Sequence, residues 1–507
     1  MELLSALVAL LASFCKSLPL LGLFLATFLL CLDFLKRRKS WNPSITGPPS
    51  RPFVGNLLQL DFTNPPKSFT QLSKKYGSIF RYQMGWSSIL VVNGYEAVKD
   101  ALVNKSEDTA DRPIMPLFEE VGCTENVQGI VFARYGQGWK DMRRFSLSTL
   151  RNFGLGKKSL EERVIEEASF LCTAFELKEG HPFDPQTLVS HGVTNVISSL
   201  LFGNRFEYDD QKGKKLLQFF QESLKAGSGL ILQMLNLAPL LMKISWLVQK
   251  AVKRQKDIFL FLRQILKDHR ESFDPNVTRD FMDAFLLEIE KVKDDPSSNI
   301  CEQNLLVTTL DLYGAGTDTL STTLRWALLY MLLYPDVQRR VHEEIDSVIG
   351  RDRKPTMEDQ SNMPYTNAVI YEIQRCADLI PLAVPHMTYR DTEIQGYFIP
   401  KGVTLFINLS SVVKDETAWE RPHQFYPEHF LDADGKLVKP EAFMPFGAGR
   451  RVCLGEQLAR MELFLFFTAF LQRFTFTIPA KQARPREDPL FSLMHVPHPY
   501  QICAELR

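Results

Sequence analysis

The stretch Phe446-Gly447-Ala448-Gly449-Arg450-Arg451-Val452-Cys453-Leu454-Gly455 fits F-x-x-G-x-R-x-C-x-G, and it runs straight into an apolar helical segment. A cysteine just before a helix N-terminus is favoured as thiolate by the helix dipole and by free backbone N–H donors. Those donors also tune how much electron density the sulfur gives to a metal. Gly449 and Gly455 permit unusual dihedrals and close approach of the backbone to a flat ligand. Phe446 can shield the sulfur, and Arg451 can pair with a carboxylate of that ligand. A lone cysteine is ordinarily a small buried hydrophobe. What sets Cys453 apart is the coincidence of dipole, glycine and arginine requirements within ten residues, and the chemistry they describe is thiolate ligation of a metal.

A second constellation lies at Gly314-Ala315-Gly316-Thr317-Asp318-Thr319. Two glycines inside a helix cost roughly 1 kcal/mol each, so they predict close approach by another group. Asp311, Ala315 and Thr319 are spaced i, i+4, i+8 and share one face, with Asp318 on its flank. A small residue, a notch and a hydroxyl on one face suit a bound dioxygen, and Asp318 can relay protons to it. The alternative is helix packing through small residues, with a threonine that bonds back to its own helix. Asp311 is an acid on the ligand-facing stripe, which is costly unless paired. It either bridges to a basic amine substrate or bonds to the backbone of a neighbouring loop. Glu372 and Arg375, at i and i+3, can meet on a helix as an ion pair.

Helical spacing predicts the elements that must position these groups over residues 160–177, 214–224, 246–270, 303–334, 335–349, 363–377 and 454–473. Short β-type runs stand at 78–82, 88–92, 393–394, 397–399 and 404–408. The fold class is therefore mainly α with a small β portion. The segment 303–334 would extend about 48 Å at 1.5 Å per residue and reads as a central spine.

Residues 3–32 are nearly all apolar, and Lys36-Arg37-Arg38-Lys39 follows. About 20 apolar residues span a bilayer. The best span is 17–35, and the basic flank after it places the rest of the chain in the cytosol. A cleaved signal peptide would carry a basic leading region, whereas Glu2 opens this chain. Pro43, Pro48, Pro49 and Pro52 make a stiff linker. The expected division is anchor 1–35, basic and proline-rich linker 36–52 and catalytic domain 53–507. With 59 basic and 59 acidic residues, the chain offers no extended nucleic-acid surface. Its eight cysteines are scattered without any C-x-x-C, which excludes a zinc ribbon or thioredoxin-type site and suits a reducing compartment.

The cysteine loop resembles that of the cytochrome P-450 family, and the resemblance extends over the whole chain. It is nearest to the vertebrate microsomal enzymes of family two, D subfamily, with further support from Asp108-Thr109-Ala110-Asp111-Arg112-Pro113, Arg143-Arg144-Phe145-Ser146, Phe206-Glu207-Tyr208-Asp209-Asp210 and Lys439-Pro440-Glu441-Ala442-Phe443. The resemblance implies the P-450 fold and haem b with Cys453 as axial iron ligand, Phe446 and Ala315 beside it, and Trp139, Arg143, His386 and Arg451 at the propionates. It implies Thr319 and Asp318 as the oxygen-activating pair, and Glu372 with Arg375 as a buried structural pair. The family joins to that pair an arginine of a P-E-R-F loop; here Pro427-Glu428-His429-Phe430 puts His429 there and leaves the third partner open. Asp311, Cys123, Val384 and Phe491 fall in substrate-contacting regions, as does 224–232, and the apolar run 230–242 suits a membrane-dipping entry route.

The implied activity is monooxygenation of lipophilic small molecules: xenobiotics, with basic amines, steroids and fatty acids as candidates. Electrons would come from NADPH through a separate reductase, since the chain has no Gly-rich dinucleotide fingerprint. Cytochrome b5 is a second donor of the family. Lys140, Arg144 and Arg450 would form a basic docking patch. The place implied is the endoplasmic reticulum membrane, with the catalytic domain on the cytosolic side. Two other readings are a haem-thiolate isomerase or dehydratase, which would not need Asp318 and Thr319, and a non-catalytic haem-binding sensor.

Overall fold

The computed structural model describes residues 24–33, 35, 44–115, 119–120, 127, 129–154, 158–211, 213–218, 222, 243–295 and 298–507. The longer helices among them are α1 (Pro65–Tyr76), α2 (Gln137–Asn152), α3 (Lys158–Glu176), α4 (Gln186–Leu201), α5 (Ser245–Glu271), α6 (Phe281–Val292), α7 (Glu302–Leu333), α8 (Pro335–Val348), α9 (Pro364–Ala377) and α10 (Glu456–Arg473). A four-stranded sheet of β1 (Ile79–Met84), β2 (Ser87–Asn93), β3 (His386–Met387) and β6 (Thr404–Asn408) is ordered β1-β2-β6-β3. Three two-stranded sheets complete the β portion: β4 (Thr392–Ile394) with β5 (Tyr397–Ile399), β7 (Phe474–Thr477) with β10 (Cys503–Leu506), and β8 (Leu490–Phe491) with β9 (His495–Val496). The mainly helical class with a small β portion holds.

Helix starts follow local chemistry. Pro65 and Pro364 open their helices at positions that need no N–H donor, and Asn64 caps α1 by accepting from the Lys67 N–H. The 32-residue α7 is buried along most of its length, and 320–333 is buried without a break. It packs with α3, α4, α8 and α10 into the main core, where Phe175 stacks on Phe470 at 5.2 Å. That continuous burial confirms the spine expected from its length.

The periodicity reading passes over α1, α2, α4 and α6. In α4 nearly every residue from 189 to 201 is buried, polar and apolar alike, so no amphipathic stripe marks it. The predicted helix over 214–224 is seen only at 213–218, because most of the remainder lies outside the described residues.

The expected membrane span also lies largely outside them. Residues 24–33 are helical, and no helix among the described residues is long and apolar enough to cross a membrane. Asp33 is buried and accepts from the Phe53 N–H at 2.9 Å and from Trp86 Nε1 at 3.0 Å.

At the α5–α6 joint, His269, Asp280 and Asp283 come together buried. Arg279 donates to both oxygens of Asp283, and Asp280 caps α6 through the Asp283 N–H while bonding His269 Nε2. With every carboxylate oxygen so engaged, the group reads as a structural clasp.

Candidate functional site

Cys453 lies between the turn Gly449–Arg451 and the start of α10, and its N–H donates to the Phe446 carbonyl at 3.0 Å. Gly449 has φ +73°, and a Cβ there would stand 1.8 Å from the Leu102 carbonyl oxygen, so only glycine fits. The same freedom expected of Gly455 is not used: its φ is −90°, an ordinary value. A Cβ at 455 would come 4.0 Å from Cys453 Sγ, so this glycine leaves room beside the sulfur.

The Cys453 side chain is accessible, yet surrounding protein crowds it. Desolvation raises its thiol, outweighing the lowering by the N–H groups of Gly455 and Glu456 and by Arg143. The N–H groups at the helix start act in the expected sense, and burial opposes them. A coordinated metal ion would deprotonate the thiol.

Around the cysteine loop the protein gathers cations. Arg143 donates to the Val452 carbonyl at 2.6 Å. Arg451 donates to the carbonyls of Ala110 (2.7 Å), Ile130 (3.2 Å) and Ala133 (2.5 Å). Arg112 donates to those of Val131, Val384 and Pro385 at 2.7–3.1 Å. Trp139 lies against both Arg143 and Arg451, 5.5 and 4.2 Å from its ring, and spends its own N–H on the Ile130 carbonyl. The nearby carboxylate, Asp111, is held bidentately by Arg134.

Burial draws Arg112 down to about 9 and Arg451 to about 8, and it lowers Arg143. His386 is pushed well down by burial and then by Arg112, while its Nδ1 faces the Thr109 carbonyl at 2.8 Å. No carboxylate among the described residues bonds these three guanidinium side chains. Buried positive charge without a partner is expensive, so the cluster suits an anionic group such as paired propionates. Arg112, quoted only as part of a resembling stretch, belongs to this cluster; its sequence carried no signal beyond that.

On α7, positions 310, 311, 312, 314, 315, 316, 318 and 319 interrupt a helix that is otherwise buried from 304 onward, and Ala315 is the most open. Asp311, Ala315 and Thr319 therefore share an open face, as their spacing predicts. Thr319 Oγ1 donates to the Ala315 carbonyl at 2.6 Å, the self-capping form. Asp318 is pushed up to about 6 by burial, and its Oδ2 has no hydrogen-bond partner among the described residues. The notch read at Gly316 faces elsewhere: a Cβ there would meet Ile197 of α4 at 3.2 Å, so helix α4 makes the close approach.

Asp311 Oδ2 accepts the N–H groups of Ile130 (2.7 Å) and Val131 (3.0 Å). Of its two readings, the contact present is with neighbouring backbone. Burial raises Asp311 to about 6 against those two bonds.

Glu372 and Arg375 form a bidentate pair at 2.7 Å, both fully buried. Arg375 also donates to the carbonyls of Val413, Pro422 and Gln424. The third partner is His429, whose Nδ1 lies 3.3 Å from Glu372. Its Nε2 accepts from the Arg421 N–H at 3.1 Å, which leaves the Nδ1 proton to donate to Glu372.

Val384 is half-buried and offers its carbonyl to Arg112, and Phe491 packs edge-on to His495. Phe446 is half-buried beneath the Arg460 guanidinium, 4.9 Å from its ring. Cys123 and the segments 224–232 and 230–242 lie outside the described residues. Lys140 and Arg144 have acidic neighbours, Glu107 at 3.9 Å and Asp141 at 2.5 Å, and both side chains remain exposed, as does Arg450.

Residues 45–504 match the family model described as Cytochrome P450. The chain is 53% identical to cytochrome P450 2D15 of Canis lupus familiaris over 489 residues, 96% of this chain and 98% of that protein. It is 53% identical to cytochrome P450 2D20 of Mesocricetus auratus, covering 96% and 97%. It is 51% identical to cytochrome P450 2D6 of Homo sapiens, covering 96% and 99%.

Proposed function

The chain belongs to the cytochrome P450 family of haem monooxygenases, and from that premise we propose that it oxidises lipophilic small molecules, basic amines among them, at the endoplasmic reticulum membrane. The observation that carries the reading is an accessible Cys453 beside one buried guanidinium, Arg112, and two half-buried ones, Arg143 and Arg451, none of them bonded by a carboxylate among the described residues. Cys453 would ligate the iron, and Arg112, Arg143, Arg451 and His386 would hold the propionates, with Trp139 supporting the arginines and Phe446 and Ala315 lining the faces. When bound, the haem supplies dioxygen activation, which an axial thiolate promotes.

The chain's own residues manage protons and orientation. With a pKa of about 6, Asp318 can both take and release a proton near neutral pH. Thr319, adjacent in sequence and on the open face, would hold that proton through its hydroxyl oxygen, whose own hydrogen is spent on the Ala315 carbonyl. Electrons come from NADPH through a separate reductase, with cytochrome b5 as second donor. Both dock at Lys140, Arg144 and Arg450; exposed ion pairs such as Arg144–Asp141 are weak and exchange readily for a partner's acids. The segment 17–35 anchors the chain.

The test is a reduced carbon monoxide difference spectrum followed by reconstitution with NADPH and reductase. A red-shifted thiolate Soret band and reductase-dependent product are expected. Product formed from a peroxide alone, without NADPH, would support the isomerase or dehydratase class, and haem without any turnover a sensor. In Thr319→Ala, the share of NADPH electrons reaching product should fall roughly tenfold or more, with peroxide released instead. Unchanged coupling removes Thr319 from the mechanism.

Asp311 contributes to amine binding once ionised. Because its pKa stands near 6, a carboxylate is present above that value and is lost as pH falls through it. Lipophilic amines should therefore bind more tightly at pH 7.5 than at 5.5, and Asp311→Asn should weaken amines more than neutral analogues. Equal losses for both classes assign Asp311 to the Ile130–Val131 backbone alone.

A further inference from the structure

The α4–α7 interface carries more polarity than packing requires. On α7, Tyr313 and Thr317 are fully buried and, with Gly316, face α4, where Ile197 closes on Gly316. On α4, His191, Thr194, Asn195 and Ser198 are spaced i, i+3, i+4, i+7 and are all buried. Ser198 and Thr194 lie within hydrogen-bonding influence of the Tyr313 hydroxyl, and Asp318 acts on the same hydroxyl through its charge. Among the described residues, Thr317 Oγ1, Asp318 Oδ2 and both His191 nitrogens are buried with no hydrogen-bond partner. Buried polar atoms are rarely left so, and where several share one seam they are ordinarily completed by water.

The seam has an outer end. Asn195 donates to Glu167 at 3.0 Å, and Tyr208, stacked on the His191 ring at 4.6 Å, donates to the same carboxylate at 3.0 Å. Arg205 reaches Glu167 at 3.1 Å and is itself partly exposed, with Glu207 outside it. Lys214 and Asp210 also face His191. Polar side chains on one face of α4 thus lead from a partly exposed ion pair toward the Tyr313 hydroxyl and the acid on the spine.

We propose that this seam is the proton supply of Asp318, and that Tyr313 and Ser198 are its positioning residues, ordering a hydroxyl-and-water chain from Glu167 inward. Each proton that Asp318 gives up is replaced along the chain. Tyr313 donates toward Asp318 and accepts from the Ser198 side, so it stays neutral, and solvent at the Glu167–Arg205 pair restores the outermost proton. The inference rests on the reading of Asp318 as proton carrier.

The experiment uses the full-length ferric haem enzyme and infrared spectroscopy. At pH 5.5 the Asp318 carboxyl band is identified by its loss in Asp318→Asn, and its shift is timed after transfer to D2O. Tyr313→Phe keeps the ring packed on Phe202, and Ser198→Ala is a small change in a buried helix. Both should slow the band shift at least tenfold, and both should lower product per NADPH with an enlarged solvent isotope effect. Wild-type exchange times, or wild-type coupling and isotope effect, in both variants overturn the seam as the supply. Full coupling in Asp318→Asn instead overturns the underlying reading of Asp318, whatever the exchange times.

Discussion

Glu372→Ala lowers stability by about 3–5 kcal/mol and leaves most of the protein without haem. The cost arises because truncation removes the carboxylate and leaves Arg375 fully buried without its counter-charge. The three carbonyls that Arg375 also engages share its protons but carry no charge to balance it. Glu372 further accepts from the Tyr426 N–H at 2.7 Å and from His429, so the loop 421–429 loses that part of its anchorage on α9 and keeps the Arg375 bonds to Pro422 and Gln424. That loop precedes the cysteine segment in the chain, which is how a pair far from Cys453 in sequence would govern haem uptake. The measurements are haem per polypeptide and the denaturant midpoint; normal haem content in the variant refutes the coupling between pair and cofactor.

Gly449→Ala is expected to do comparable damage by a different route. At φ +73° a side chain costs about 1–3 kcal/mol, and the added Cβ would stand 1.8 Å from the Leu102 carbonyl, which is backbone and must shift as a unit. Relief of that overlap breaks the Arg450 N–H bond to Ser106 Oγ and tilts the loop that presents Cys453. Retention of haem should fall roughly tenfold or more. Titration of the variant apoprotein with haem, read as the thiolate-type carbon monoxide band, checks it. A normal band would show that the loop tolerates the residue and that the glycine is not a steric requirement.

The cysteine loop could be read without coordinates because its demands are local. A ligand before a helix, a glycine at a left-handed turn and an arginine two residues upstream all act within ten residues. The α7 stripe was legible for the same reason, since i, i+4, i+8 spacing fixes a shared face whatever the helix packs against. That 311, 315 and 319 share one face follows from spacing alone; that the face stays open follows from the fold.

What the sequence left open depended on groups that meet only after folding. His429 as third partner of Glu372 rests on a hydrogen bond from Arg421 that fixes its tautomer. Arg112 joins Arg451 and Arg143 only because its loop packs beside theirs. Asp311 finds the Ile130 and Val131 N–H groups some 180 residues away. Helix α4 was invisible to periodicity because it is buried on every side, yet its hydroxyls face Tyr313, and its Ile197 fills the notch at Gly316. The charge state of Cys453 also belongs to tertiary structure: the helix end lowers the thiol in a way that sequence foretells, while the opposing desolvation depends on how much protein closes around it. Local spacing fixes which face a residue occupies, and folding decides what meets that face.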